Sequence, residues 1–322
     1  MKAVVAAPVR IGGAMGCLVI PAAGRLRGTL LVAAALLVGV GIGDGAHEAW
    51  AYSAAGDRVF APTIMMPQIA PGDDVYLWGS TQPDPGDTER NEFNGTVTKT
   101  ITEHLGITLG GTWTRLDGPA GTNAVSGWFN FDTELKYLAI TNQPHEFLMS
   151  LAVDREWPTG VTRAGAFQPG ATTPRVYMGK GLGDLDIGLL RPLAVRGMLG
   201  YQIADEAPRP NMIQAEFAAE YSIPYLQSKV HSFNLPPLLR GLTPITEVEV
   251  LTPAGKSYGS RTFVLVAPGV SYAGEGWDFL VEALIPGNKT ANSSGLGVAA
   301  QLHLSLDYLM PGTIRRPLFS AR

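Results

Sequence analysis

Two residues near the C-terminal end of the chain, His303 and Ser305, are of the types that act as base and nucleophile in hydrolases. They lie two positions apart, so in an extended strand both side chains point to the same side. A polar pair on the inner face of a barrel strand is the far commoner explanation of this spacing. We therefore interpret the pair as part of a polar face and not as a catalytic dyad.

The other candidate motifs do not match an enzyme or a cofactor site. Thr252–Ser257, TPAGKS, ends like a phosphate-binding loop, but the first glycine of that motif would fall on Val250 and no β-α unit follows. The glycine-rich run Gly179–Gly183 lacks the dinucleotide spacing and is predicted to be a flexible external loop. The five histidines are scattered without metal-ligand spacing. The sequence predicts no enzyme, no metal and no cofactor.

A larger set of charged and polar side chains falls on one face of successive alternating segments, which we expect to line a barrel lumen. The candidate lumen-lining residues are Asp132, Glu134, Lys136, Asp154, Glu156, Asp184, Asp186, Arg196, Glu216, Glu220, Glu247, Glu249, Asp278, Glu282, Gln301, His303, Ser305 and Asp307. Acids dominate this set. Two interpretations stay open with equal weight: the side chains form internal ion pairs that fill a narrow barrel, or they select a solute.

The stretch that defines their setting is Gly295–Met310, GLGVAAQLHLSLDYLM. Every second residue from Leu296 to Tyr308 is apolar and the residues between them are small or polar, which predicts a strand with one apolar face. An ordinary strand has ~5–6 residues, whereas a tilted strand that crosses a bilayer needs ~9–11 or more. The length of this stretch therefore indicates a transmembrane strand.

About twelve alternating segments recur along the chain, as expected for an all-β protein. They are residues 73–81, 92–102, 105–116, 128–140, 147–157, 184–190, 193–204, 212–223, 245–252, 262–272, 277–286 and 295–310. The stretch 225–242 breaks the pattern and is expected to hold a short helix. The prediction is a transmembrane antiparallel up-and-down β-barrel of about twelve strands.

Connections of two lengths alternate between these segments. Short turns are predicted at 103–104, 142–145, 191–192 and 273–276, and longer loops at 118–127, 158–183, 205–211, 253–260 and 287–294. Outer-membrane barrels have short periplasmic turns and longer external loops, so both termini are expected to be periplasmic. This topology predicts an aromatic girdle at the periplasmic strand ends, formed by Tyr137, Phe147, Tyr221, Tyr272, Trp277 and Tyr308.

Composition and the N-terminal region agree with export. Charged residues make up 16% of the 322 residues, against the usual ~25%, and the net charge of −4 gives no support for nucleic-acid binding. The apolar run Thr29–Ile42 follows Arg25 and Arg27 and precedes the A-x-A sequence at 49–51, which is typical of a signal peptide. We expect a signal peptide at 1–51, which contains the one cysteine, an irregular segment at 52–72 that dips into the barrel, a barrel at 73–310 and a periplasmic tail at 311–322.

Three alternatives remain open at this point. The apolar run could be an inner-membrane anchor, and Met15 could be the true start of the chain. The alternating segments also fit a soluble sandwich or a periplasmic lipocalin-like barrel, in which the apolar faces point inward and the charged faces meet water.

Four segments carry a family resemblance: PITEVEVLTPAG at 244–255, FVLVAPGVSYAGEGWDFLVEALIPGNK at 263–289, GLGVAAQLHLSLDYLMPG at 295–312 and RRPLF at 315–319. They resemble the bacterial outer-membrane family associated with the meta-pathway of phenol degradation. The resemblance is clearest over the last ~80 residues. It implies a transporter without a catalytic motif, and it alone implies a preference for aromatic molecules.

The function expected from these observations is passive uptake of small, hydrophobic or aromatic solutes across the outer membrane. The partners expected are outer-membrane lipid, the barrel-assembly machinery and the solute. The rival hypothesis is a structural or interaction barrel with a plugged lumen, which would present its loops at 158–183 and 287–294 to a partner.

Overall fold

The computed structural model describes residues 9–11, 14–16, 53–119, 121–255, 261–291, 294–311 and 317–319. Most of these residues belong to one antiparallel sheet in which each strand pairs with its neighbours along the chain. Two short strand pairs lie outside that sheet, Val9–Ile11 with Ala14–Gly16 and Ala54–Ala55 with Arg58–Val59. Apart from the first of these pairs, the predicted signal peptide at 1–51 lies outside the described residues.

The strands of the large sheet are long, as the alternation of the sequence predicts. They are β1 (Asp74–Asp84), β2 (Thr88–Thr100), β3 (Leu105–Asp117), β4 (Asp132–Asn142, preceded by the short segment Val125–Trp128), β5 (Phe147–Glu156), β6 (Ala171–Gly181), β7 (Leu193–Ala204), β8 (Met212–Tyr221), β9 (Leu242–Pro253), β10 (Phe263–Ala273), β11 (Trp277–Pro286) and β12 (Gly297–Ser305).

The sheet closes on itself because β12 pairs with β1, from Ser305 opposite Asp74 to Val298 opposite Thr81. Val125–Trp128 and β4 both pair with β3 and act as one interrupted strand. The closed barrel therefore has twelve strands, and the predicted fold class and strand number are confirmed. Closure leaves no free strand edge, which removes the unpaired backbone groups that hydrocarbon cannot solvate.

The two ends of the barrel differ in their connections. The terminal rim, where β1 begins and β12 ends, carries the turns at 101–104, 143–146, 182–192 and 274–276 and the longer connection 222–241. That connection holds the short helices α1 (Ile223–Tyr225) and α2 (Pro237–Arg240), and a third short helix, α3 (Leu306–Leu309), follows β12. The opposite end, the loop rim, carries the connection 157–170. No helix among the described residues is long and apolar enough to span a membrane.

The outer face of the barrel is apolar. Large side chains on this face are exposed between the rims: Val97, Leu109, Leu135, Leu151, Val153, Val195, Leu199, Ile213, Phe217 and Val270. Polar side chains of the same strands point inward and are buried. In a soluble sandwich or lipocalin-like barrel the apolar faces point inward and the charged faces meet water. The arrangement here is the opposite, so both of those alternatives are excluded. The barrel is a transmembrane barrel.

Aromatic side chains mark the ends of this apolar surface. At the terminal rim, Tyr272 and Trp277 lie with ring centroids 5.8 Å apart, and the predicted Phe147 and Tyr221 also lie on strand ends there. The predicted Tyr137 lies in the middle of β4 and not at its end. A second group near the loop rim comprises Trp128, Phe131, Trp157 and Tyr201, all exposed. Sequence reasoning did not predict this second girdle, although all four residues fall within the predicted segments 128–140, 147–157 and 193–204.

The sixth strand was predicted in the wrong place. We expected a loop at 158–183 and a strand at 184–190, but the strand is β6 and the loop covers only 157–170. Pro174 and several glycines conceal the alternation of β6, whereas Leu185, Ile187 and Leu189 alternate within a turn and are exposed. Asp184 and Asp186 are therefore outside the lumen. The run Gly179–Gly183 is not an external loop, because it completes β6 at the terminal rim.

The last strand is shorter than predicted. β12 ends at Ser305, and Leu306–Leu309 forms the helical turn α3. Asp307 and Tyr308 consequently do not continue the strand faces on which they were placed, since the period of two ends where the backbone turns helical. In the predicted tail at 311–322, Leu318 and Phe319 donate backbone hydrogen bonds to Thr100 and Ile101 at the terminal rim.

Candidate functional site

The lumen of the barrel is the candidate functional site, and residues 53–72, here called the plug, lie within it. Phe60, Met65, Met66 and Ile69 of the plug are at most 1% exposed. Three prolines at 62, 67 and 71 keep most of the segment irregular, because proline removes a backbone donor and fixes one torsion angle. The polar backbone groups of such a segment must bond to the barrel wall when they are buried.

Three of these hydrogen bonds end on one side chain, the carboxylate of Glu247 in β9. Its carboxylate accepts backbone hydrogen bonds from Ile64 at 2.8 Å, Met65 at 3.1 Å and Met66 at 3.2 Å. Bonds to an ionised acceptor are stronger than neutral ones. Glu247, one of the acids that could have selected a solute according to the sequence, therefore holds the plug.

Arg58 anchors the beginning of the plug at the terminal rim. Its fully buried guanidinium pairs with Glu146 at 3.2 Å and donates to the carbonyl oxygens of Arg191, Pro192 and Leu193. Tyr225 of α1 covers the same site, with its ring 4.0 Å from the Arg58 guanidinium carbon. Burial, together with its hydrogen bond to Glu146, raises the pKa of Tyr225 to about 12. Tyr225 therefore remains a neutral donor at neutral pH.

The inner face of β6 is shaped to receive the plug. A Cβ atom on Gly179 would collide with Ile69 and lie 3.1 Å from the Phe60 ring. A Cβ atom on Gly181 would lie 2.6 Å from Arg58 Nε. Glycine at these two positions therefore provides the space that the buried plug side chains fill.

Beyond the plug, the lumen contains a cavity of about 120 Å³. Plug residues form one side of it, including Ile64, Met65 and Gln68, and strand residues form the remainder, including Trp78 and Gln301. A water molecule takes up ~30 Å³ of liquid, so this space holds a few waters or one small solute.

One wall of the cavity is an ion-pair network. Glu134 lies 2.9 Å from Arg175 and 3.2 Å from Lys136, and accepts a hydrogen bond of 2.6 Å from Tyr177. Arg175 also pairs with Asp154 at 3.1 Å. Acids on this wall are therefore compensated by neighbouring cations, which reduces the negative potential that the sequence had indicated.

The loop-rim connection 157–170 folds over the other end of the lumen. Asn130 donates to Glu156 at 2.7 Å and to the carbonyl oxygen of Phe167 at 2.5 Å. The buried Arg209 forms a two-point pair with Glu156 at 2.9 and 2.6 Å. These bonds hold the connection against the barrel and narrow the mouth of the lumen.

His303 and Ser305 belong to the closing seam of the barrel. His303 lies 2.9 Å from Asp74 of β1 and 3.1 Å from Asp278 of β11, and it stacks on Tyr76 with ring centroids 4.6 Å apart. Ser305 donates to Asp307 at 2.6 Å and not to His303. The described residues thus contain a histidine held between two carboxylates and no serine–histidine dyad.

The structure places most predicted lumen residues inside the barrel. Some of them bind the plug, and others line the cavity. Arg196 donates to the carbonyl oxygen of Ala61, and Glu220 accepts from the Ala61 amide at 3.1 Å. The cavity is lined by Asp132, Glu134, Lys136, Asp154, Glu216, Glu249 and Gln301. Glu282 is buried on β11, whereas Asp307 lies outside the strands.

Sequence reasoning missed most of the cations that pair with these acids. Arg58 lies in an aperiodic segment, Arg90 precedes the predicted second strand, and Arg175 and Arg209 fall in stretches interpreted as loops. Trp78 was missed as a lumen residue because the first strand was only weakly predicted. The alternation of β1 does place Trp78 on the same face as Asp74 and Tyr76, and this signal could have identified it.

Comparisons with known proteins give structural neighbours only. No family model matches the chain, and no curated protein matches it. The KdgM porin is 12% identical, with 72% of this chain and 98% of that chain covered and a TM-score of 0.43. The COG4313 outer membrane channel from Pseudomonas putida F1 is 12% identical, with 74% and 96% covered and a TM-score of 0.48.

The outer membrane phospholipase of Salmonella typhi is also similar, at 9% identity, with 74% and 92% covered and a TM-score of 0.37. By name, these neighbours are a porin, an outer membrane channel and an outer membrane phospholipase. With TM-scores below 0.5, these similarities carry no argument about what this chain transports or catalyses.

Proposed function

We propose that this protein is an outer-membrane channel for the passive uptake of small neutral molecules, with the plug as the element that must shift to admit them. The observation that carries this proposal is the cavity of about 120 Å³ inside a transmembrane barrel. The plug is held without any covalent bond among the described residues, through Glu247 and Arg58. Its displacement would join the cavity to the terminal rim.

The lumen favours neutral solutes over ions. Arg175 and Lys136 are paired with Glu134, so an incoming anion finds cations that already have partners. An incoming cation finds Glu134 and Asp154 already paired with Arg175. A charged solute would lose its hydration without gaining a free counter-ion, which is costly in a narrow lumen.

The preference for aromatic molecules rests on the family resemblance, as does the association with phenol degradation. The lining of the cavity by Trp78 supports it, because an aromatic face is a good contact for another ring. In this proposal the leader directs export and the barrel-assembly machinery inserts the chain into the outer membrane. The apolar outer face and the two aromatic girdles support that location.

Swelling of proteoliposomes tests the transport of neutral solutes. We expect liposomes that contain the full chain to swell faster than protein-free liposomes in resorcinol, a neutral single-ring solute. We expect no such difference in sodium benzenesulfonate, which has the same ring and a charge. Equal rates with and without protein in resorcinol would contradict the channel.

A plugged structural or interaction barrel is the second candidate function. The observation that favours it is the number of anchors on the plug, since three backbone amides bind Glu247 and Arg58 makes an ion pair and three further bonds. If the swelling assay shows no passage of any solute, this candidate replaces the channel.

A further inference from the structure

Two buried glutamine side chains on the cavity wall have an Nε2 atom without a hydrogen-bond partner in the part of the chain that the structure describes. Gln301 of β12 is 2% exposed and Gln68 of the plug is 7% exposed, and both line the cavity. Among the described residues, neither Nε2 atom has a hydrogen-bond partner. Buried polar groups are nearly always paired, so two open donors on one small cavity indicate a missing acceptor.

The surroundings of Gln301 are apolar. In register, Gln301 lies between Trp78 of β1 and Leu280 of β11. Both neighbours belong to a buried apolar cluster that also contains Ile64 and Met65 of the plug. A molecule in this part of the cavity would therefore meet an indole face and apolar side chains, with the amide donor beside them.

The volume of the cavity suits a molecule with one ring. An engineered apolar cavity of ~150 Å³ binds benzene, and the lumen cavity has about 120 Å³. Met65 lines the cavity, and a methionine side chain can change rotamer to admit a slightly larger guest.

We propose that this cavity is a binding site for a neutral single-ring molecule that carries one hydroxyl or carbonyl oxygen. The oxygen accepts hydrogen bonds from Gln301 and Gln68, and the ring lies against Trp78. This inference rests on the proposed function and names its solute class. Gln301 is the residue that distinguishes such a molecule from a plain hydrocarbon of the same size.

The test compares phenol with toluene, which has a similar size and no acceptor. Binding of each is measured by ligand-observed NMR on the full chain in detergent, for the native protein and for Gln301→Leu. The native protein should bind phenol about tenfold more tightly than toluene, and Gln301→Leu should reduce that ratio severalfold, because one of the two hydrogen bonds to the phenol oxygen is lost.

The matched control is Gln82→Leu. Gln82 is also a buried glutamine, on the neighbouring strand β1, but its amide donates to the Gly295 carbonyl oxygen at 3.0 Å and does not line the cavity. This variant should keep the native ratio. If Gln301→Leu fails to fold, Gln68→Leu in the plug gives the same comparison.

A native protein without preference for phenol would mean that water alone satisfies the two amides, and it would overturn the site. A preference that persists in both Gln301→Leu and Gln68→Leu would overturn it as well. The assay does not depend on transport. Phenol binding through Gln301 without solute passage would refute only the channel, whereas solute passage without this binding would refute only the site.

Discussion

At the scale of single residues, the position of the plug depends on Glu247. A carboxylate suits this position because both of its oxygens accept, and three backbone amides of the plug converge on it. A glutamine has nearly the same shape, but one oxygen becomes an NH₂ group that faces other donors. Charge-assisted hydrogen bonds contribute ~1.5–3 kcal/mol each, so this single exchange should weaken the seating of the plug.

We therefore predict that Glu247→Gln exposes the plug to protease. Phe60 is fully buried in the native lumen, and chymotrypsin can cleave after it only when the plug has left its site. Cleavage should be about tenfold or more faster in Glu247→Gln, as the loss of ~1.5 kcal/mol implies. The control is Glu92→Gln, since Glu92 is a buried inward carboxylate that pairs with Arg90. Equal cleavage rates in the two variants would show that Glu247 does not hold the plug.

The residue scale also shows what alternation alone can predict. It placed Glu134, Glu216, Glu247 and Gln301 on inward faces, because a period of two fixes the side to which each side chain points. It could not assign their partners, which come from distant strands or from the plug. Glu247 and Ile64, for example, are separated by 183 positions in the chain.

At the scale of secondary-structure elements, each strand has an outward face that must suit hydrocarbon. Phe217 is 55% exposed in the middle of β8, and Ile213 lies on the same face four positions nearer the loop rim. Four residues of strand span ~13 Å, so the two side chains sit at different depths in a membrane. The cost of a charge on such a face should therefore differ between them.

We predict that Phe217→Arg destabilises the inserted barrel by ~2–4 kcal/mol and Ile213→Arg by ~0–1 kcal/mol. Reversible unfolding by guanidinium in lipid vesicles measures both values. Similar costs at the two positions of β8 would contradict the assigned depth.

Elements with regular alternation were predicted within a few residues, and the exceptions have physical causes. β7 and β11 have the predicted bounds. β6 was missed because its inner face carries Gly179 and Gly181, where the plug needs space, and its outer face includes Pro174. Glycines on the inner face of a strand leave room for another segment, but they also remove the alternation of polar and apolar side chains by which a strand is recognised in a sequence.

At the scale of the whole molecule, twelve strands enclose a lumen of intermediate size. A barrel of ~8 strands is filled by its own side chains, and porins of ~16–18 strands leave an aqueous channel. In this protein the plug and the connection 157–170 occupy much of the intermediate space. The remaining cavity is therefore small, and in our proposal the plug shifts to admit a solute.

The barrel could be predicted from the sequence, but the filling of its lumen could not. Closure and strand number follow from repeated alternation over the chain. The path of residues 53–72 inside the lumen depends on single contacts, such as those of Arg58 with the 191–193 backbone, and no local pattern encodes them.

Planar-bilayer recording of the full chain and of a chain without residues 53–72 tests the central claim most directly, namely that a plugged transmembrane channel admits small molecules. We expect small, intermittent currents from the full chain and larger, steady currents from the shortened chain, both interrupted when phenol is added. Heat-modifiable migration in electrophoresis confirms that each form is folded. If neither folded form conducts ions and neither admits resorcinol in the swelling assay, the lumen is closed with or without the plug, and the channel is contradicted.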